Sequence, residues 1–401
     1  MIRDDLGGYL VFGVRIASDS ALHDWLQLDI LHTMSSPDSV RANRIQALAA
    51  TLQKRDIGAF FCTSATSMNY LAGLHEEGGE RLLFLAINNK EQVRLVCPSL
   101  AKTQAEKHGI SDIADWADGV DPYQLVKTLA SDWGLKSVAV DDEMRASILL
   151  AMQSTLPGVS FQAGQQVLGE LMSVKSPSEI ATLKRAGKAA DDALAPVLAQ
   201  MKPGMTEFEV NDLLFNQMKA NGGNPTFCII GTGQFGAEPH HYTSQTKVSQ
   251  GDVVVMDFGC ELDGYMSDIT RTVCMGPATD EQNKVYDTVY RAHMAARNAI
   301  KPGVPAEDID KAARKVIEDA GYGEFFVHRT GHGLGMRIHE DPYICAGNTT
   351  PLVEGNVFSI EPGIYLPGKF GVRIENIVAV TNDGHESMNA EPSPTLICVN
   401  P

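Results

Sequence analysis

Asp257 follows Val253-Val254-Val255-Met256 and precedes Phe258, so it interrupts a run that reads as a buried strand. A charge in such a place is costly unless it is paired or coordinates a metal. Asp263-Gly264, a little further on, is a favoured two-residue hairpin loop, and it would set Leu262 opposite Tyr265. Counting outward, Asp257 lies opposite Thr270 and Asp268 opposite Gly259. The two aspartates are then diagonal neighbours on one face, about 7–8 Å apart before their side chains lean together. A second pair of acids, Glu361 and Glu375, is symmetric about Gly368 in "YLPGKFG". A symmetric hairpin would set these carboxylates directly opposite each other, where like charges repel. The four acids carry a formal charge that two divalent cations would neutralise.

His332, in "RTGHGLGMRIHE", offers a nitrogen ligand for such cations. Gly331, Gly333 and Gly335 around it permit close backbone approach and unusual dihedral angles. Taken alone, this glycine-rich stretch reads equally well as a mobile surface loop. The spacing is not H-E-x-x-H, which excludes a zincin-type helix. A different glycine pattern, Gly231, Gly233 and Gly236 in "IIGTGQFGAEPHH", has the G-x-G-x-x-G spacing of a dinucleotide turn. That turn needs a helix beginning at the third glycine. After Gly236 comes "AEPHHYTSQTK", with Pro239, β-branched Thr243 and Thr246, and no apolar helical face. The stretch is therefore expected to be a loop and not a cofactor-binding turn.

The elements that carry these residues form a weakly repeated pattern. "MKPGMTEFEVNDLLFNQMKANGG" from Met201 resembles "IKPGVPAEDIDKAARKVIEDAGYG" from Ile300, with Lys-Pro-Gly at Lys202 and Lys301. Each copy leads to one of the acidic hairpins, which suggests a duplicated helix-helix-hairpin unit. Upstream, residues 34 to about 165 alternate helical and extended patterns, as expected of an α/β domain with a mixed sheet. Ser176, Pro177 and Glu179 form a helix-start signal with a capping box, so a boundary falls near them. The domains are therefore read as 34–165 and 170–401, with 1–33 an extension of no assigned role or an over-long start.

Composition bounds the function. The chain has 401 residues, 44% hydrophobic and 21% charged, with a formal charge of −17. That charge disfavours nucleic acid and anionic membranes as partners. No apolar run approaches the roughly 20 residues of a membrane span, and Asp4 and Asp5 stand where a signal peptide is positive. Seven cysteines without a C-x-x-C pair suggest reduced thiols in the cytoplasm.

With "PHH", "GDVVVMDFGCELDGYMSDITRT", "GHGLGMRIHE", "SIEPGIY" and "GVRIEN" in view, the chain resembles the pita-bread-fold metallopeptidases from about residue 40 to its end. These are prolidase (Xaa-Pro dipeptidase), aminopeptidase P and methionine aminopeptidase. The resemblance implies an N-terminal creatinase/prolidase-like α/β domain and an α+β pita-bread domain with pseudo-two-fold halves. It implies that Asp257, Asp268, His332, Glu361 and Glu375 ligate two divalent metal ions, Asp268 and Glu375 bridging them. Manganese fits such oxygen-rich coordination best, with cobalt, iron or zinc as substitutes.

The resemblance also implies roles for other side chains. His240 and His339 would contact substrate and stabilise the tetrahedral intermediate. Glu361 would shuttle a proton, and Arg373 would orient the bridging carboxylate or bind a substrate carboxylate. A hydroxide bridging the metals would attack the peptide bond. The extra N-terminal domain disfavours methionine aminopeptidase and points to a homodimer in which it limits access to the site. The expected substrate is a short proline-containing peptide, with Xaa-Pro dipeptides ahead of the longer peptides of aminopeptidase P. A metal-dependent lyase and a catalytically silent peptide-binding scaffold rank below these. Creatinase, which shares the fold but lacks the ligand set, is disfavoured. Phe235, where relatives commonly carry asparagine, and Asn376, where "RIED" is usual, suggest altered substrate-side contacts.

Overall fold

The computed structural model describes residues 37–76 and 78–400, together with three short strands at Ile2–Arg3, Tyr9–Val11 and Val14–Ile16. Residues 34–36, where the first domain is expected to begin, lie outside the described residues. The chain divides into two compact units, Met1–Val167 and Leu168–Pro401.

The first unit is built on a six-stranded mixed sheet. Its order is Ile113–Trp116, Val93–Pro98, Phe84–Asn88, Ala59–Cys62, Ser137–Val140 and Ser160–Ala163. Ala59–Cys62, Phe84–Asn88 and Val93–Pro98 are antiparallel neighbours. The outer pairings are parallel and joined through helices, as parallel strands require. The expected alternation is present, with additions. The helices Ala65–Ala72 and Ser99–Lys107 and the strand Ile113–Trp116 carry too little periodic signal to stand out in the sequence. Ser64 caps the first of them by accepting from Ser67 N, and Gly73 closes it in the left-handed conformation.

The second unit contains the two acidic hairpins, each backed by a helix pair. Helix Pro177–Leu198 starts at the Ser176–Glu179 capping box expected from sequence. With helix Glu207–Ala220 it covers the sheet Asn224–Thr232, Val253–Leu262, Ile269–Met275 and Ile397–Val399. Val210, Leu214 and Met218 pack with Val254, Met256 and Phe258 in one core. Full burial of such side chains contributes about 1.5–3 kcal/mol each. Helices Asp280–Ala299 and Ala306–Asp319 do the same for the second sheet, where Ile309, Ala313 and Ile317 meet Phe358, Ile360 and Val378.

The duplication shows in details that the sequence match barely hints at. Helices Glu207–Ala220 and Ala306–Asp319 are offset by 99 residues at both ends. Gly204 N donates to Val248 O and Gly303 N to Leu352 O, each at 2.8 Å. Both glycines have positive φ, 95° and 85°, which other residues rarely adopt. Just beyond each, an isolated bridge pairs Thr206 with Lys247 and Pro305 with Pro351.

Candidate metal centre

The first hairpin has the register counted from its turn. Leu262 pairs with Tyr265, and Asp257 with Thr270. Asp263 and Gly264 both take positive φ, 52° and 83°, as a tight hairpin turn demands. Gly259 leaves room that Phe227 fills, since a Cβ there would lie 2.6 Å from the Phe227 ring.

The second hairpin is broken where its acids sit. Gly363 pairs with Arg373 on one side and Ile360 with Asn376 on the other, both symmetric about Gly368. Glu361 and Glu375 therefore face each other in the gap between two ladders. Their backbone N–H groups leave the hairpin, Glu361 N donating to Thr330 O at 2.8 Å and Glu375 N to Thr270 O at 3.1 Å. The second donation, with the two hydrogen bonds between Thr272 Oγ1 and the Arg373 backbone, joins the two hairpins. Four acids from separate halves thus reach one place.

His332 is not on a mobile loop. Gly331–Gly333 is a buried strand between Glu340–Ile344 and Val357–Ile360. The glycines serve close approach, since a Cβ on Gly331 would run into Ser359 O and one on Gly333 into Asp341 O. None of Gly331, Gly333 and Gly335 is among the positive-φ residues, so unusual dihedrals are not the reason for them. His332 Nδ1 faces its neighbour's carbonyl, Gly333 O, at 3.1 Å and so donates to it. That tautomer leaves the Nε2 lone pair available as a ligand. Nε2 lies 3.4 Å from Glu361 Oε1 and 3.7 Å from Asp268 Oδ2.

Ligand atoms of Asp268, His332 and Glu375, all three residues buried, lie within 4.8 Å of one another. One oxygen each of Asp257, Asp268 and Glu375 is buried with no hydrogen-bond partner. Buried carboxylate oxygens seldom stay unsatisfied, so this donor set fits a bound cation, and an oxygen-rich one suits hard divalent ions. The electrostatics agree. Burial, then Glu375, raises the pKa of Asp268 well above the carboxylate range. Burial, then Glu361, does the same to Glu375. Glu361 is pushed up to about 7, first by burial and then by Asp257 against the pull of Arg373. Burial, then His339, lowers His332 to about 3. Positive charge placed among these groups would relieve all of the carboxylate shifts.

The centre opens into a cavity of about 970 Å³ whose lining includes the five residues named above. His240, His339 and Arg373 line it too. The His339 ring meets His332 edge-on with centroids 4.3 Å apart. Arg373 donates four hydrogen bonds to protein acceptors. Nη2 donates to Asp257 Oδ2 at 2.7 Å, Nε to Thr270 Oγ1 at 3.1 Å, and Nη1 to Tyr365 Oη and Pro239 O. It reaches Glu375 only through Thr270, whose hydroxyl donates to Glu375 Oε2 at 2.7 Å. The acid that Arg373 touches directly is Asp257, not one of the two carboxylates expected to bridge the metals.

Several residues near the centre carried no sequence expectation of their own. The sequence places Thr270 only opposite Asp257. Tyr365 sits between Arg373 and His328, whose Nε2 is 2.7 Å from its hydroxyl. Arg329 lines the cavity, with its guanidinium carbon 4.6 Å from the Tyr343 ring centre. His328 and Arg329 stand just before the recognised "GHGLGMRIHE" and Tyr365 closes "SIEPGIY", but adjacency assigns no role. Conversely, Phe235 and Asn376 do not line the cavity. Phe235 stacks on His241 instead, with ring centroids 5.3 Å apart. Asn376 is fully buried and donates to Ser387 Oγ and Ala390 O. Neither residue lines the cavity itself, but Phe235 packs on His241, which does.

Gly231, Gly233 and Gly236 begin no α-helix. Gly233–Ala237 is a single short 3-10 turn. Gly231 and Gly236 approach closely, and a Cβ on Gly371 would collide with Gly236 O. The glycines let the loop settle on the second hairpin.

Comparison with known proteins accounts for both units. Residues 181–382 match Metallopeptidase family M24, and residues 44–171 match the Creatinase/Prolidase N-terminal domain. A Mycobacterium tuberculosis protein named "Probable dipeptidase PepE" is 39% identical over 89% of this chain and 96% of its own length. The Xaa-Pro dipeptidase of Lactobacillus delbrueckii subsp. lactis is 34% identical over 83% of this chain and 93% of its own. The crystal structure of dipeptidase PepE from Mycobacterium ulcerans superposes with a TM-score of 0.87 at 40% identity, covering 92% of this chain and all of the other.

Proposed function

The chain belongs to metallopeptidase family M24, and on that premise we propose that it hydrolyses Xaa-Pro dipeptides at a centre holding two divalent cations. The observation that carries the proposal is the set of buried carboxylate oxygens on Asp257, Asp268 and Glu375 that have no partner beside the open nitrogen of His332. Asp257, Asp268, His332, Glu361 and Glu375 would hold the cations, with Asp268 and Glu375 shared. Bound there, the cations, most suitably manganese, would acidify a water shared between them and polarise the scissile carbonyl.

The chain's own groups supply the rest. Glu361, beside Ser359 Oγ at 3.1 Å, would carry the proton from the water to the leaving nitrogen. His240 and His339 would donate to the oxygen on which charge develops. Arg373 keeps Asp257 in place. Arg329 has no ion-pair partner among the described residues and would take the substrate's free carboxylate. That last contact favours dipeptides over longer peptides. The reading also includes a homodimer, checked by light scattering, and a cytoplasmic setting, which suits seven cysteines that all carry thiols.

The test is a panel of Xaa-Pro, Xaa-Pro-Yaa and non-proline dipeptides at fixed manganese. Turnover of Xaa-Pro that is lost to chelator supports the proposal. Release of the first residue from Xaa-Pro-Yaa alone would replace it with aminopeptidase activity. Inactivity on the whole panel with metal bound would overturn the peptidase reading.

A further inference from the structure

His240 reaches the cavity from a loop that runs between two sheet strands, and that loop is gathered onto one side chain. Glu207 is fully buried at the first turn of helix Glu207–Ala220, outside the metal centre. Its Oε1 accepts from Thr232 N at 2.9 Å. Its Oε2 accepts from Ser244 N at 2.9 Å and Ser244 Oγ at 2.8 Å, and lies 2.8 Å from His241 Nε2. Facing an acceptor, that ring nitrogen donates. A buried carboxylate is tolerable when donors surround it, and the helix N-terminus favours its charge. Thr232, where the loop begins, and Ser244, where it ends, are thus tied to one residue, together with His241 inside it.

His241 is itself enclosed. Phe235 stacks on its ring, and its Nδ1 is 3.2 Å from Glu238 Oε2. On the other side of His240, Pro239 O accepts from Arg373 Nη1 at 3.3 Å. His240 therefore stands between an anchor to the second hairpin and an anchor to Glu207.

We propose that Glu207 and His241 are positioning residues, a pair that holds the 232–244 loop so that His240 faces the reacting groups. The other half of the fold uses the same device with different residues. Asp310 is 1% exposed on the equivalent helix, Ala306–Asp319. It accepts from Thr330 N and Thr330 Oγ1, two residues before His332. Offset by 99 residues, Glu207 corresponds to Ala306 and Asp310 to Asn211, so neither carboxylate copies the other. Each half fixes its histidine-bearing segment through one carboxylate on its second helix. The inference rests on the proposed role of His240.

The test is a double-mutant cycle on the metal-loaded enzyme with an Xaa-Pro substrate. Glu207→Gln should lower kcat roughly 10- to 100-fold with a much smaller change in KM, since displacement of a reacting group of order 1 Å costs that much. In a His240→Ala background the same substitution should change kcat by less than about threefold, because coupled residues are not additive. Equal fractional losses in both backgrounds would overturn the proposal and leave a purely structural role. No loss from Glu207→Gln while His240→Ala inactivates would also overturn it. Normal activity of His240→Ala would overturn the underlying role of His240 instead. If Glu207→Gln does not fold, His241→Ala carries the same cycle, with His241→Gln, which keeps a donor, expected to recover part of the loss. Apart from turnover, the His240 ring signals of metal-free, isotope-labelled protein should shift on Glu207→Gln, and unchanged signals would count against the pair.

Discussion

Arg373 Nη2 donates to Asp257 Oδ2 across 2.7 Å, so a cation on the second hairpin holds an acid of the first. The guanidinium is buried, which works against its charge, yet Tyr365, Asp257 and Glu361 around it raise its pKa. It thus remains charged at every working pH. Arg373→Met should lower activity or metal affinity about 10- to 100-fold, the usual effect of losing a group that orients a ligand. Steady-state kinetics with elemental analysis checks this. Arg373→Lys should recover little, because one ammonium cannot reproduce four directed contacts.

Asp268 and Glu375 are the acids proposed to be shared between two cations. Asp268→Asn and Glu375→Gln should each reduce bound metal from two ions per chain to one or fewer, with loss of turnover. Inductively coupled plasma analysis of metal-replete protein measures this directly. Two ions retained in both variants would refute the shared-ligand arrangement.

Metal binding should release protons. Burial and mutual repulsion hold Asp268 and Glu375 high and Glu361 at about 7, so the metal-free chain keeps protons there that cations must displace. Affinity should rise as pH climbs toward about 7. The sign for stability is opposite. These carboxyls have folded pKa values above their unfolded ones, so the folded state binds more protons. Metal-free protein should lose stability as pH rises from the ordinary carboxyl range toward 7, and added metal should remove the loss. Calorimetry in buffers of different ionisation enthalpy and thermal melts test the two halves of this statement.

Arg329 is proposed to read the free carboxylate of a dipeptide. Loss of one charge-assisted hydrogen bond, about 1.5–3 kcal/mol, corresponds to roughly 10- to 150-fold. Arg329→Met should raise KM for Xaa-Pro by that factor with kcat little changed. The amidated substrate Xaa-Pro-NH₂ should be indifferent to the substitution. Equal losses on both substrates would remove Arg329 from carboxylate recognition.

Lys175 and Glu340 form an ion pair 1% and 6% exposed, beside Gly335 and next to His339 in sequence. Removing one partner leaves a buried charge, which costs about 3–5 kcal/mol. Lys175→Met should lower Tm by roughly 10 °C, from about 2–4 °C per kcal/mol in a unit of this size. The double variant Lys175→Met/Glu340→Leu should recover most of it, as buried pairs often tolerate apolar replacement. Differential scanning calorimetry provides the comparison.

The sequence by itself determined a good part of this protein. A turn at Asp263-Gly264 sets the first hairpin's register through local backbone geometry, and strand alternation then puts Asp257 and Asp268 on one face. Symmetry about Gly368 likewise placed Glu361 opposite Glu375. Lys-Pro-Gly at a fixed offset revealed the duplicated helices, because each glycine sits where only positive φ fits. These are short-range constraints, written in neighbouring residues.

Only the tertiary structure decided what lies across the two halves. That Arg373 meets Asp257 and reaches Glu375 through Thr270 depends on two hairpins about a hundred residues apart lying side by side. The glycines around His332 looked equally suited to a mobile loop, and packing against Ser359 and Asp341 made them a buried strand. Phe235 turned to His241 and away from the cavity, and Glu207 gave no local signal at all. A hydrogen bond between distant residues leaves no period or motif in a single chain, since its partners are chosen by the fold that brings them within about 3 Å of each other.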